Sequence, residues 1–285
     1  MEKITASIVV YKNDPFLLQR TINSFLNSSV TGSLTIVDNS PTDELRSTCN
    51  HQEITYIFNN KNVGYGKAHN LAIRECLNRS RYHLVLNPDV SFAPDVIEKL
   101  YRFMEENPQA GLVMPKVLNS EGQLQMLCKL LPTPFDLATR RFFPFKNWFK
   151  SKNERYEMKA SGYNYIMNVP FLSGCFMFLR NESLKQTGLF DERFFLYAED
   201  TDLSRRIHQQ FETLFFPGAE INHVHARGSY KDLGLTFHNT KSAFQYFNKW
   251  GWFFDKQRTS INERASTQTE RAAVSDPKLR EVKAA

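Results

Sequence analysis

The first ninety residues alternate between short aliphatic runs and amphipathic stretches, and this alternation constrains the fold more than any other feature of the chain. "ASIVVY", "LTIVD", "ITYIF" and "HLVLN" are near-continuous apolar segments of the kind that form strands buried on both faces. After the first, Asp14 and Pro15 make an N-cap and first-turn pair for a helix with Leu18, Ile22 and Phe25 on one side. Between the third and fourth, a glycine loop leads into the helix "KAHNLAIRECL". Strands of this type separated by helices predict an α/β fold with a mainly parallel sheet covered on both faces. From Gly111 the alternation breaks down. "GLVMP", "FLSGCFMFLR", "TLFF" and "EINHVH" read as separate strands, with a helix over 202–211, and together predict a mixed extension of the same sheet.

In such a sheet, ligands bind beyond the carboxyl ends of the strands. Polar groups gather there: Tyr11-Lys12-Asn13 after the first strand, Asp38-Asn39-Ser40 after the second and Asn87-Pro88-Asp89 after the fourth. Helix caps would explain any one of these, but three on one edge predict a cleft. Asp38 could accept from a ribose hydroxyl or a base imide, or simply form the turn before Asn39. Gly64 and Gly66 allow positive φ and close approach to a ligand, in a loop that is neither a dinucleotide fingerprint nor a Walker loop. Asp89 offers one hard oxygen ligand which, with a diphosphate and an imidazole, would suit Mg²⁺ or Mn²⁺. His223 and His225 are at strand spacing and so face the same side, where they could ligate a metal or contact phosphate; Arg227 and Ser229 could add phosphate contacts. In "LYAEDTDLSRRI", Glu199, Asp200 and Asp202 open a helix. Acidic residues at that place are either dipole-favoured helix starts or catalytic groups, and this segment alone leaves both readings open.

At 285 residues, with 41% hydrophobic composition and 24 Phe, the chain suits one large domain with an appendage. The N-terminal apolar run reads as a strand and not a signal peptide, and no apolar stretch is long enough to span a bilayer. Four scattered cysteines without C-x-x-C spacing read as reduced cytosolic thiols. The net charge of +6 is modest but concentrated. Residues 140–159 hold seven Lys or Arg against two Glu, interleaved with aromatics, and "FNKWGWFFDKQR" repeats the pattern. All three tryptophans, Trp148, Trp250 and Trp252, fall in these two segments, as expected for a headgroup-layer contact on an anionic membrane; a hydrophobic subdomain with incidental surface charge is the competing reading. No nucleic-acid motif accompanies them, so no nucleic-acid partner is expected. The expected organisation is a catalytic unit over 1–235 with a basic aromatic insertion at 140–159, a membrane-associating segment at 236–258 and a flexible polar tail at 259–285.

The series "SIVVYKND", "IVDNS", "NVGYGKAHNLAI", "LNPDV", "FLSGCFMFLR", "GLFDERFFLYAEDTDLSRRI" and "HVHARGS" resembles the family 2 inverting glycosyltransferases of the GT-A fold, most of all the bacterial rhamnosyltransferase-like branch. The resemblance implies an enzyme, and the scattered thiols and basic aromatic segments set it at the cytoplasmic face of the membrane. It would move a sugar, L-rhamnose from dTDP-rhamnose being the best guess, from a dTDP- or UDP-linked donor to a lipid-linked or cell-surface glycan. It also implies Asp200 as catalytic base, Asp89 as metal-binding carboxylate and Asp38 as nucleoside contact. Tyr11, Gly64 and Asn87 would lie in the nucleotide-sugar pocket, and Glu199 and Gly174 on the acceptor side. By the same resemblance His225 would hold the metal–diphosphate, with His223 in reserve. Asn87 stands where many relatives carry the first carboxylate of Asp-x-Asp. Galactofuranosyl and other hexosyl donors stay open. A sugar-nucleotide nucleotidyltransferase lacks support in "VVYKNDPF", and a non-catalytic nucleotide-sugar or glycan-binding subunit is the alternative of another class.

Overall fold

The computed structural model describes residues 2–30, 32–142, 150–224 and 233–275. The first half alternates as expected: β1 (Glu2–Val10), α1 (Pro15–Leu26), β2 (Gly32–Asp38), β3 (Ile54–Phe58), α2 (Tyr65–Cys76), β4 (Ser80–Leu86), β5 (Val90–Phe92) and α3 (Val96–Glu106). The second half runs β6 (Ala110–Leu118), β7 (Cys128–Lys129), α4 (Pro134–Phe142), α5 (Lys150–Tyr156), β8 (Met167–Asn168), β9 (Phe171–Leu172), β10 (Phe176–Arg180), α6 (Asn181–Thr187), α7 (Glu199–His208), β11 (Glu212–His223), α8 (Leu233–Trp250) and α9 (Lys256–Ser275). The Asp14 carboxylate caps α1, accepting from the Phe16 and Leu17 N–H groups at 2.7 and 3.2 Å, with Pro15 in the first turn where its missing N–H costs nothing.

The main sheet has the order β3-β2-β1-β4-β10-β6-β11-β5, with β8 added beside β11. The segment β3-β2-β1-β4 is parallel throughout, and β6 and β11 pair in parallel with each other. β10 is inserted antiparallel to both β4 and β6. This reversal has a functional consequence. The amino end of β10 lies at the same edge as the carboxyl ends of β1, β2, β4 and β11, so Ser173, Gly174 and Cys175 join the polar groups already expected there. The strand interiors are sealed: Ile4, Ile8, Leu34, Ile36, Leu84 and Leu86 are all fully buried.

Three expectations need correction. "TLFF" and "EINHVH" are a single strand, β11, whose register on β6 shifts between Phe216 and Glu220. Pro217 and Gly218 sit in that interval; proline cannot donate to the ladder, and the chain bulges instead of stopping. The helix placed at 202–211 starts earlier, at Glu199, so all three of its acidic residues lie in its first turn. The polar tail is helical in α9 up to Ser275, with Ile261 and Ala265 buried and the Asn262 side chain bridging the Leu131 N–H and C=O at 2.8 and 2.9 Å. Among the described residues, no helix is long and apolar enough to cross a membrane.

Candidate active site

The cleft at the carboxyl edge has a volume of about 930 Å³ and is lined by the ends of β1, β4 and β11, the 173–175 loop, the start of α7 and one face of α8. That size lies in the range of clefts that bury a small-molecule ligand.

Asp200 stands in the first turn of α7. Its Oδ2 accepts from the Gly174 N–H at 2.9 Å and its Oδ1 from the Thr201 N–H at 2.7 Å. Two donors thus fix the carboxylate while it remains half-buried on the cleft wall. A Cβ on residue 174 would come within 3.1 Å of the Asp200 Cβ, so glycine there permits the close approach. The turn feeding α7 is strained, because Tyr197 and Ala198 both take positive φ, at 70° and 65°. Non-glycine residues in that region cost about 1–3 kcal/mol each, a cost structures retain where it places functional groups. Glu199 is buried and its Oε2 has no hydrogen-bond partner among the described residues. Burial, and then the adjacent Asp200 charge, push the Glu199 carboxyl well above the usual range. Both causes favour the neutral form of Glu199 over the charged one.

Across the cleft, Asp89 and His223 come together. Asp89 Oδ1 lies 3.4 Å from His223 Nε2 and is buried without a hydrogen-bond partner among the described residues. The Gln125 side chain sets the imidazole: its Nε2 donates to the His223 carbonyl at 2.8 Å, and its Oε1 faces His223 Nδ1 at 3.3 Å. An amide oxygen only accepts, so Nδ1 carries a proton and Nε2 is directed at Asp89. Burial opposes charging of His223, but the Cys175 thiol and Asp89 carboxylate outweigh it and raise the group to about 10. Among the described residues no cluster of three or more His, Cys, Asp or Glu could hold a metal ion. A hard carboxylate with an orphaned oxygen beside an imidazole nonetheless fits a divalent cation that takes its remaining ligands from phosphate and water.

Tyr65 joins the two walls. Its hydroxyl lies 2.8 Å from the Gly174 carbonyl and 3.0 Å from Asn87 Oδ1. Gly64 immediately before it has φ +94°, and a Cβ there would meet the Phe195 carbonyl oxygen at 2.6 Å, so only glycine fits. Tyr11 is 47% exposed at the mouth of the cleft.

Of the two roles open to Asp38, ligand contact and turn former, its hydrogen bonds are those of the turn former. It is fully buried and absent from the cleft lining, with Oδ1 accepting from the Ser40 N–H at 2.7 Å and Oδ2 from the Tyr56 hydroxyl at 2.5 Å. Asn39, the next residue, lines the cleft together with Asn13 and Asn62. Two of the three tryptophans lie in the described residues, and both are half-buried. Trp250 is half-buried, donates from Nε1 to Asp202 at 2.8 Å and is covered by the Arg205 guanidinium at 4.0 Å. Trp252 bonds Asn248 and packs against Phe244 and Phe247. His225, Arg227, Ser229 and Trp148 lie outside the described residues. The sequence reading missed Tyr65, Gln125, Cys175, and His238 and Asn239 from α8, all of which line the cleft. Tyr65 was within sight, as the aromatic residue opening a helix after a cleft glycine; the α8 residues carried no such signal.

A mainly parallel sheet with the antiparallel β10 set into it, and a cleft at its carboxyl edge, is the architecture of the GT-A class of fold. Residues 7–188 match the model described as Glycosyl transferase family 2, and the chain belongs to that family. It is similar to the low-salt glycan biosynthesis hexosyltransferase Agl10 of Haloferax volcanii, 27% identical over 213 residues, which are 74% of this chain and 63% of that protein. It therefore spans less than two thirds of that relative's length. It is also similar to the N-acetylglucosaminyl-diphospho-decaprenol L-rhamnosyltransferase of Mycobacterium tuberculosis, 25% identical over 241 residues, 79% of this chain and 76% of that one. Among solved structures, GalNAc-T7 with UDP, GalNAc and Mn²⁺ superposes with a TM-score of 0.63 at 14% identity, covering 88% of this chain and 48% of that one. The mannosyltransferase PcManGT of Pyrobaculum calidifontis, in complex with GDP-Man and Mn²⁺, gives 0.61 at 14% identity over 99% and 78%.

Proposed function

We propose that this chain is an inverting glycosyltransferase that moves a sugar from a nucleoside diphosphate to a hydroxyl of a lipid-linked glycan, with Asp200 as general base. The observation that carries the reading is the Asp200 carboxylate, fixed by the Gly174 and Thr201 N–H groups in the same cleft as the Asp89–His223 pair. A base placed this way takes the proton from the attacking hydroxyl, and Glu199 beside it lines the acceptor side of the cleft. Asp89 and His223 would hold a divalent cation, Mg²⁺ or Mn²⁺, which when bound offsets negative charge developing on the leaving diphosphate. Tyr11, Asn13, Asn39 and Asn62 form the nucleoside end of the cleft in this reading, and Asn87 supports the metal end.

L-Rhamnose from dTDP-rhamnose is the proposed donor, supported by the rhamnosyltransferase among the relatives; the hexosyltransferase supports a hexosyl donor in its place. The decaprenol-linked substrate in the rhamnosyltransferase's name supports a lipid-linked acceptor. The proposed location, the cytoplasmic face of the membrane, is supported by four cysteines without a disulfide. The test is a panel of dTDP-, UDP- and GDP-sugars with Mg²⁺ or Mn²⁺ and lipid-linked acceptors, read as nucleoside diphosphate release and product anomeric configuration. Release from one donor, abolished by chelation and giving an inverted anomer, is expected. A retained anomer would contradict the single-displacement role of Asp200, and binding without turnover would favour the non-catalytic subunit.

A further inference from the structure

Helix α8 has two faces with different fates. Leu235, His238, Asn239, Ala243 and Tyr246 line the cleft. On the outward side, Phe237 and Phe244 are 63% and 54% exposed, separated by two turns, with exposed Lys241 between them. The Phe244 ring meets Trp252 at 5.0 Å, which carries the aromatic surface off the helix and into the turn before α9. There Phe253 and Phe254 stand 76% and 98% exposed.

That turn is held rigidly. Asp255 pairs with Arg205 through both oxygens, at 2.8 and 2.9 Å, with both side chains buried. The same carboxylate accepts from the Arg258 N–H at 2.9 Å and so caps α9. The Arg258 guanidinium in turn binds the Trp252 carbonyl at 3.1 Å. Arg205 belongs to α7, the helix that carries Asp200. Two adjacent phenylalanines are thus projected into water from a turn fixed to the catalytic helix.

On the reading that the acceptor is lipid-linked, we infer that the outward face of α8 and the 251–255 turn form a docking surface for an anionic bilayer, with Phe253 and Phe254 as the inserted side chains. Charge selects the occupant. Between Phe237 and Arg258 the sole carboxylate is Asp255, which is buried, while Lys241 and Lys256 are exposed. Within this segment the exposed rings are accompanied by exposed lysines and no exposed carboxylate, a composition that suits the boundary between anionic headgroups and acyl chains. Because the opposite face of the same helix lines the cleft, seating this surface would bring the acceptor side of the cleft to the lipid that carries the acceptor.

The test uses the full chain and vesicles of phosphatidylcholine with or without phosphatidylglycerol, comparing wild type, Phe253→Ser/Phe254→Ser and Lys241→Gln/Lys256→Gln. Wild type is expected to co-sediment with the anionic vesicles. The phenylalanine pair should reduce binding by about tenfold or more, and the lysine pair should remove the preference for phosphatidylglycerol. Turnover on a water-soluble acceptor glycan should stay unchanged in the phenylalanine variant and fall on the same glycan presented in vesicles. Equal vesicle binding by wild type and the phenylalanine variant overturns the inference. So does a wild-type dimer that this variant dissociates, which would make the surface an interface between two copies. Turnover on the soluble glycan without vesicle binding overturns the docking surface and leaves glycosyl transfer standing. Vesicle binding that the phenylalanine variant loses, without turnover on any acceptor, supports the surface and overturns the reading of the cleft.

Discussion

Tyr65 has a single hydroxyl proton for two acceptors, the Gly174 carbonyl and Asn87 Oδ1, and through Gly174 it reaches the residue whose N–H orients Asp200. It is a positioning residue: in Tyr65→Phe the 174 loop loses one tether while the core keeps its shape. The expected result is a roughly tenfold fall in kcat, about the 1.4 kcal/mol of one lost hydrogen bond, with donor KM little changed and thermal stability nearly intact. Steady-state kinetics with a melting curve checks this, and a rise in donor KM at constant kcat would place Tyr65 in binding instead. Asp38 and Asn39 show how fine the residue scale is. A strand ending in Asp-Asn offers both side chains to a ligand on paper, but the Ser40 N–H and Tyr56 hydroxyl occupy the carboxylate and leave the amide to the cleft. Tyr56 comes from the neighbouring strand, so the local sequence around Asp38 carries no sign of it.

At the scale of elements, two contacts make quantitative demands. Beneath β1, Ser7 Oγ bridges His69 Nδ1 and His83 Nε2 at 2.7 and 2.8 Å, and both histidines are fully buried. Burial and the nearby His83 hold His69 well below its ordinary value, and burial lowers His83 from 6.5 to about 3. The unfolded chain therefore takes up protons that the folded chain does not. For His83 this stability is complete above the unfolded value of 6.5 and is lost as pH falls toward 3, by about 1.4 kcal/mol per pH unit, and His69 acts in the same direction. Denaturant titrations across that window should show the slope, and His83→Gln should reduce it; an unchanged slope would contradict the assignment. The second contact is Arg205–Asp255 between α7 and the start of α9. Arg205→Met strands a buried carboxylate and should cost about 3–5 kcal/mol, whereas adding Asp255→Asn keeps the helix cap, removes the charge and should recover part of the loss. Equal destabilisation by the single and double variants would show that the ion pair is not what joins these helices.

The whole molecule was legible where burial imposes a period. The parallel half could be read because strands covered on both faces are continuously apolar, and the helix caps because Asp14-Pro15 satisfies a local hydrogen-bond requirement. β8 and β9, of two residues each, are too short to show a period, and among the described side chains of α9 the buried apolar ones are Ile261 and Ala265, so its polar composition dominates. The tryptophans looked peripheral because composition reports that a basic aromatic segment exists, not which ring turns inward; Trp250 turns to Asp202. Likewise Asp89, the acidic start of α7 and the His223/His225 pair stand out in sequence because strand ends and helix starts define an edge, although the resemblance favours His225 over His223; the α8 wall depends on a distant segment folding back over the cleft. The measurement that tests this account most directly is nucleoside diphosphate release by Asp200→Asn beside wild type, with nucleotide-sugar binding followed by calorimetry. The account predicts a loss of turnover of roughly 10²–10⁴-fold with binding retained, because the amide keeps the volume but cannot take the proton. Unchanged turnover in Asp200→Asn would contradict it and leave the acidic residues of α7 as a helix start and nothing more.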